Sequence, residues 1–303
     1  RAITIDTHDD IPFNFATPAV DPLNADRQVN LEKMRAGGLD VGFFIVYVGQ
    51  TPRTPENYDK AKADAMTKFA AIHRMADTLY PQLIELAYTP ADVRRIVAGG
   101  KLVAAIGIEN GYVIGKDLSL IETYFDLGAR YMTLAHGRNN DICDSSTDPQ
   151  PEHNGMSAFG RDVVREMNRL GMMVDISHVS KQCMLQATAL STSPVIASHS
   201  STKAIADVPR NMDDEQLRAV ARNGGVVQIV ALDRFVKTDA PETANVAHFV
   251  NHIDHAVRVT GIDHVGNSSD FDGGGGVVGW QDASESRNVT IELVRRGYTE
   301  EQI

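Results

Sequence analysis

The sequence predicts an α/β fold in which eight parallel strands alternate with helices to form a (β/α)8 barrel. Three observations lead there. Eight short β-branched or apolar runs recur along the 303 residues. Longer stretches with apolar residues at three and four spacing fill most of the gaps between them. Six of the strand-like runs are followed by a histidine or a carboxylate. A doubly wound open sheet has the same alternation, so pattern alone does not choose between the two.

In order, the strand-like runs cover residues 2–6, 41–48, 102–108, 131–134, 172–176, 195–197, 225–232 and 265–268. Helical periodicity marks 61–79, 118–127, 158–170, 181–190, 213–222 and 246–259. No repeat, low-complexity linker or compositional shift breaks the chain, which predicts one domain over 1–303. Thr299-Glu300-Glu301-Gln302 has the form of a capping box and announces a closing helix that the sequence, ending at Ile303, does not contain.

Composition removes several function classes. With 29 Lys+Arg against 40 Asp+Glu the net charge is −11, which argues against binding a nucleic-acid backbone. Hydrophobic residues make up 43%, too many for a disordered chain. No apolar run approaches the roughly 18 residues of a transmembrane segment. Two cysteines, Cys143 and Cys183, exclude both a disulfide scaffold and a four-thiolate metal site, and they are expected to be unpaired. The chain starts at Arg1 without Met, so the expectation is a targeting segment removed upstream and a periplasmic or secreted address, with the cytoplasm as the alternative.

The strand ends carry the functional signal. The first run leads into Asp6-Thr7-His8-Asp9-Asp10, the third into Glu109-Asn110, the fourth into His136, the fifth into Asp175-Ile176-Ser177-His178, the sixth into Ser198-His199 and the eighth into Asp270. In a parallel barrel all of these ends lie on one face, so residues scattered along the chain converge on one mouth. One such residue alone reads as a cap or a bonded core group; six together would be costly to bury without a cation. His8 and Asp10, two apart on an extended strand, face the same side and can hold one ion. His178 and His199 can hold a second, with Glu109 bridging the two. Imidazole and carboxylate without thiolate suits Zn²⁺, and a water between two such ions is acidic enough to act as hydroxide near neutral pH.

These residues are also recognisable as a set. Asp6-Thr7-His8-Asp9-Asp10-Ile11-Pro12, Gly107-Ile108-Glu109-Asn110, Tyr131-Met132-Thr133-Leu134-Ala135-His136, Val174-Asp175-Ile176-Ser177-His178, Ala197-Ser198-His199-Ser200-Ser201, Pro209-Arg210-Asn211 and Ser269-Asp270-Phe271-Asp272-Gly273, in this order, resemble the membrane (renal) dipeptidase family of zinc peptidases in the amidohydrolase superfamily. The resemblance implies a (β/α)8 barrel with two Zn²⁺ per chain, hydrolysis of dipeptides that often carry a D-residue at the C-terminal position, and a homodimer. By motif match, His8 and Asp10 resemble the ligands of one zinc, His178 and His199 those of the other, and Glu109 the bridge. His136 is similar to the family histidine that polarises the scissile carbonyl, Arg210 to the arginine near the substrate carboxylate, and Asp270 to the aspartate that shuttles the proton of the bridging hydroxide. Tyr47 resembles a tyrosine lining the pocket, whereas Phe44 stands where mammalian members have Trp, which implies an altered pocket wall. The polar stretch 137–150 is expected to loop over the site. Another amide, such as an N-acyl amino acid or a β-lactam, is the alternative substrate, and a metal-bound scaffold without turnover is the alternative outside enzymes.

Competing motifs are weaker. His248, His252 and His255 share a helix face but lack the His-Glu-x-x-His arrangement of helix zincins, so they read as a helix face and not as a metal site. A calcium loop starting at Asp270 would place Gly274 and Gln281 where acids are needed, so the run 273–276 reads as a flexible loop near the mouth. No Gly-x-Ser-x-Gly is present; Ser157 reads as a helix cap. His73 and His264 have no clustered partners and read as structural.

Overall fold

The computed structural model describes residues 2–303. Nine strands run in chain order: β1 (Ile5–Asp10), β2 (Val41–Tyr47), β3 (Ile84–Leu86), β4 (Leu102–Glu109), β5 (Ala129–Thr133), β6 (Met173–Asp175), β7 (Ile196–Ala197), β8 (Val226–Val230) and β9 (Val265–Ser268). Every strand pair is parallel, and eight strands follow one another as β1-β2-β4-β5-β6-β7-β8-β9. Helices cross between most neighbours, so the architecture is the expected (β/α)8 barrel.

The strand that the sequence reading omits, β3, takes the same edge of β4 as β5 does. It pairs with Leu102–Ala104, while β5 pairs with Ile106–Ile108. Three residues, Ile-Glu-Leu, are too few for a period-two signal. The barrel closes between β9 and β1 without a regular ladder. Asp10 N–H donates to the Phe271 carbonyl at 2.9 Å, and Ser269 N–H donates to Asp6 Oδ1 at 2.9 Å. The first strand lies further along the chain than the expected 2–6, starting at Ile5 and ending at Asp10. Its polar residues pair with β2 as Asp9 with Phe44 and Asp10 with Ile45, so a segment that reads as loop by composition is strand by pairing.

Helix signals place the larger helices well. Thr54 caps Pro55–His73 with Pro at the first position, Ser157 caps Ala158–Leu170 by accepting from Gly160 N–H, and Asp213 with Gln216 forms a capping box on Asp214–Asn223. A π-helical turn, Arg74–Leu79, continues the first of these. Leu31–Gly37, Pro90–Ala98 and Arg287–Arg295 go unannounced. In the last, Ile291 and Val294 are exposed, so its apolar pattern does not mark a buried stripe. At the C-terminal end, Thr299 and Gln302 exchange the reciprocal capping bonds, 2.8 and 3.3 Å, around a turn.

Close packing under the mouth depends on one glycine. Gly107 of β4 stands opposite Tyr131 of β5, and a Cβ there would run into the Tyr131 ring. Gly107→Ala is therefore expected to push the ring out of place and cost about 1–3 kcal/mol, read as a lower midpoint in urea unfolding.

Candidate active site and metal centre

All nine residues singled out in the sequence meet at the C-terminal ends of the strands. Asp10, Tyr47, Glu109, His136, His178, His199, Arg210 and Asp270 line one cavity of about 480 Å³, and His8 lies fully buried against it. The pairing of β2 with β4 sets Tyr47 directly beside Glu109. Three site-forming positions adopt left-handed backbone, Asn110 at φ 78°, His178 at φ 67° and Asp270 at φ 60°. Non-glycine residues accept that conformation only where surrounding contacts hold them.

Glu109 is the centre of the arrangement. Its Oε1 lies 2.9 Å from His178 Nε2, 3.4 Å from His199 Nε2 and 3.5 Å from His136 Nε2, while Oε2 lies 3.5 Å from His8 Nε2. On the His8 side, Asp10 Oδ2 is 3.6 Å and Asp270 Oδ1 3.9 Å from the same Nε2. Three overlapping groups can each hold a cation: His8, Glu109 and His199; Glu109, His136 and His178; His8, Asp10 and Asp270.

The ring tautomers follow from the hydrogen bonds behind them. Tyr131 OH donates to the Thr7 carbonyl at 2.8 Å, so at 3.1 Å it accepts from His8 Nδ1–H. Ser198 Oγ donates to Asp175 Oδ2 at 2.6 Å, so at 2.9 Å it accepts from His199 Nδ1–H. Both rings therefore turn an Nε2 lone pair toward Glu109. His8 Nε2 is buried with no hydrogen-bond partner, and the Nε2 atoms of His178 and His199 stand 2.7 Å apart. Lone pairs converging in this way, beside a carboxylate split between them, fit a pair of divalent cations.

Electrostatics agree with that fit at His178 and His199, and at His8 the carboxylates compete with it. Burial, reinforced by Arg210, holds His178 well below the usual imidazole range, and burial with His8 does the same for His199, so both stay neutral and ligand-competent. Burial also opposes charge on His8, but Glu109 and Asp10 outweigh it and raise His8 well above its ordinary value. For Glu109, burial is outweighed by His8, His178 and His199, which keep it ionised. Burial pushes Asp270 up to about 8, with His8 opposing and Asp10 and Glu109 adding to the rise. His136 is lowered by burial and is neutral.

Several residues that sequence reasoning gave no role support this set. Asp175 accepts from Thr133 Oγ1, Ser177 N–H, Ser198 N–H and Ser198 Oγ, tying three strand ends together. Lys68 is buried with its ammonium over the Phe13 and Tyr47 rings, 5.1 and 5.8 Å from their centroids. Its signal was available, since it interrupts the buried stripe Ala61, Ala65, Phe69, Ile72 on one helix face. The stretch after His136 does adjoin the cavity, through Gly137 and Thr147, and Ser145 Oγ donates to the His136 carbonyl at 2.5 Å.

Two expectations are corrected. Phe44 is core and not pocket wall, its ring 5.9 Å from that of Phe15. The glycine run is built in tightly: a Cβ on Gly273 would collide with the Asp10 carboxylate, and Gly275 and Gly276 donate to the carbonyls of Asp270 and Ala231. Gly273 is there for close approach to the carboxylates, Gly275 for close approach to backbone carbonyls, and Gly274 and Gly276 for their positive φ. The other motifs take structural places. His252 sits between Thr202 and the Val236 carbonyl, His255 pairs with Asp214, His73 with Asp77, and His264 with the Gly225 carbonyl. Cys143 and Cys183 are free and buried.

Together, barrel and cluster define a metal-dependent type of (β/α)8 protein with its chemistry at the C-terminal mouth. The sequence profile of the membrane dipeptidase family, peptidase family M19, matches residues 1–303, and the chain belongs to that family. It is similar to dipeptidase tcpJ of Claviceps purpurea (strain 20.1), 37% identical over 281 residues that make up 91% of this chain. The chain spans 65% of that relative's length. Its fold is also similar to the probable dipeptidase PvdM of Pseudomonas aeruginosa, with a TM-score of 0.95 at 28% identity, covering 100% of this chain and 92% of the other. The dipeptidase AC, a metallo peptidase of family M19, gives a TM-score of 0.88 at 26% identity, with 99% and 94% covered.

Ser198→Ala removes the acceptor that fixes His199 Nδ1–H and is expected to weaken binding of a divalent cation by roughly 10- to 100-fold. Competition against a chromophoric chelator checks this, with a melting curve to show that the fold survives.

Proposed function

We propose that this chain is a dipeptidase that hydrolyses the amide bond of short dipeptides, accepting a D-residue at the C-terminal position, and that it takes two Zn²⁺. The observation that carries the reading is the division of the Glu109 carboxylate, one oxygen toward His178 and His199 and the other toward His8. His8 and Asp10 would hold one ion, His178 and His199 the other, with Glu109 shared. When bound, the ions supply Lewis acidity, polarising the scissile carbonyl and making water acidic enough to attack near neutral pH.

The remaining roles belong to protein side chains. Neutral His136 donates an Nε2 hydrogen bond to the carbonyl oxygen as negative charge grows there. Asp270 in its ionised form takes a proton from the attacking water and passes it to the departing amine nitrogen, so that a C–O bond forms as the C–N bond breaks. Nearby cations would favour that ionised form over the neutral one that burial alone promotes. Arg210 is buried, with Nη2 on the His199 carbonyl at 3.1 Å, Nη1 on Ser200 Oγ at 3.4 Å and Nε without a partner. Its guanidinium lines the cavity, and such a planar, permanently charged group suits the terminal carboxylate of a dipeptide, which a longer peptide could not bring there. Tyr47, its ring 4.8 Å from that of His136, closes one side.

Elemental analysis of the zinc-supplied protein should find about two zinc ions per chain. L-Ala-D-Ala and L-Ala-L-Ala should be turned over by the wild type and not by Glu109→Gln. Full loading without dipeptide turnover would overturn the substrate and keep the metal site, whereas absence of bound zinc would overturn both. Asp270→Asn should lower kcat by roughly 100- to 10,000-fold, the range expected for loss of a positioned proton carrier.

A further inference from the structure

The cavity contains a second arginine that the reading above leaves unused. Arg234 lies on the short helix Asp233–Val236 after β8 and lines the cavity with Arg210. Both guanidinium groups sit over the same ring, that of Phe235, with Arg210 at 5.5 Å and Arg234 at 5.3 Å from its centroid. Arg210 is buried and committed in part to backbone and Ser200, while Arg234 is exposed, and among the described residues no carboxylate pairs with its side chain.

The acidic groups of the cavity are occupied elsewhere. Asp10 and Asp270 face His8 at 3.6 and 3.9 Å, and Glu109 faces the histidines. Asp272 pairs with Arg27 at 3.3 Å and accepts from the N–H groups of Gln28 and Val29. One end of the cavity therefore carries two cations that share an aromatic ring and repel one another, a pairing that an anion relieves.

We infer that Arg234 receives a second carboxylate, that of an aspartate or glutamate side chain at the C-terminal position of the dipeptide, so that acidic C-terminal residues are the favoured substrate class. The inference rests on the dipeptidase reading. Arg210 meets the terminal carboxylate, and Arg234, on the same ring nearer the solvent, meets the side chain of the same residue. Two planar donors suit two carboxylates on one residue, whereas an amide of the same shape offers them no charge.

The test compares kcat/KM for L-Ala-L-Asp against L-Ala-L-Asn, and for L-Ala-L-Glu against L-Ala-L-Gln, in zinc-loaded wild type, Arg234→Gln and Arg234→Glu, each checked for an unchanged melting curve. Wild type should prefer the acidic member roughly five- to tenfold, as expected for a charge-assisted contact at a half-wet site. The preference should fall toward unity in Arg234→Gln, invert in Arg234→Glu, and weaken in wild type as salt is raised. Turnover of all four peptides without an acidic preference, or a preference that survives both substitutions, would overturn the role of Arg234 and leave the dipeptidase reading standing. No turnover of any dipeptide would overturn both.

Discussion

The structure depends on one carboxylate that serves two groups of imidazoles. Glu109 ends a strand buried along its whole length, and its two oxygens face histidines from both sides. A carboxylate in such a place needs positive charge or polar partners on every side, and most of the polar architecture at the mouth serves to hold its imidazole partners in position. Tyr131 and Ser198 orient the imidazoles, Asp175 ties the strand ends that carry them, and Gly273 leaves room for Asp10 beside Asp270.

The same demand explains where the backbone departs from ease. His178 and Asp270 accept left-handed conformations beyond strand ends and line the cavity, while Asn110 takes one directly after Glu109 and ties the Val48 carbonyl to Tyr112 N–H. The barrel supplies rigidity enough to hold these turns, and the strand register does the aiming. With Tyr47 opposite Glu109 on one side and Tyr131 opposite Gly107 on the other, strand pairing sets the aromatic flanks of the carboxylate, and the turns beyond the strands bring the histidines to it.

Much of this was legible in the sequence because the relevant signals are local. The alternation of runs and periodic stretches marks a parallel α/β fold, the family resemblance selects the barrel, and polar residues directly after apolar runs mark the mouth. What escaped was set by partners distant in the chain. Strand β1 extends to Asp10 because β2 pairs with its acidic residues, which no local pattern announces. Tyr131 looks like a core aromatic, and only its hydroxyl, shared between His8 and the Thr7 carbonyl, reveals its second role. The first glycine after Asp272 looks permissive in sequence, and only the carboxylates lying beside Gly273 show that it is demanded by space. Phe44 was misplaced for the opposite reason: a resemblance assigned it to the pocket, while the alternation of side chains along its strand carries it into the core.

The way the barrel closes has a mechanical consequence. Between most neighbouring strands the barrel is stitched by a ladder, but β9 and β1 meet through a few bonds that involve Asp6, Asp10, Ser269 and Phe271. That join rests on few bonds, and the proposed ion site lies beside it, with His8 and Asp10 on β1 and Asp270, which follows β9, 3.9 Å from His8. A cation held by His8 and Asp10 would pin the β1 side of that join to Glu109 on β4. Occupancy of the site and integrity of the barrel would then be one linked equilibrium, and loss of the ion would loosen the wall at the place where the substrate must be held.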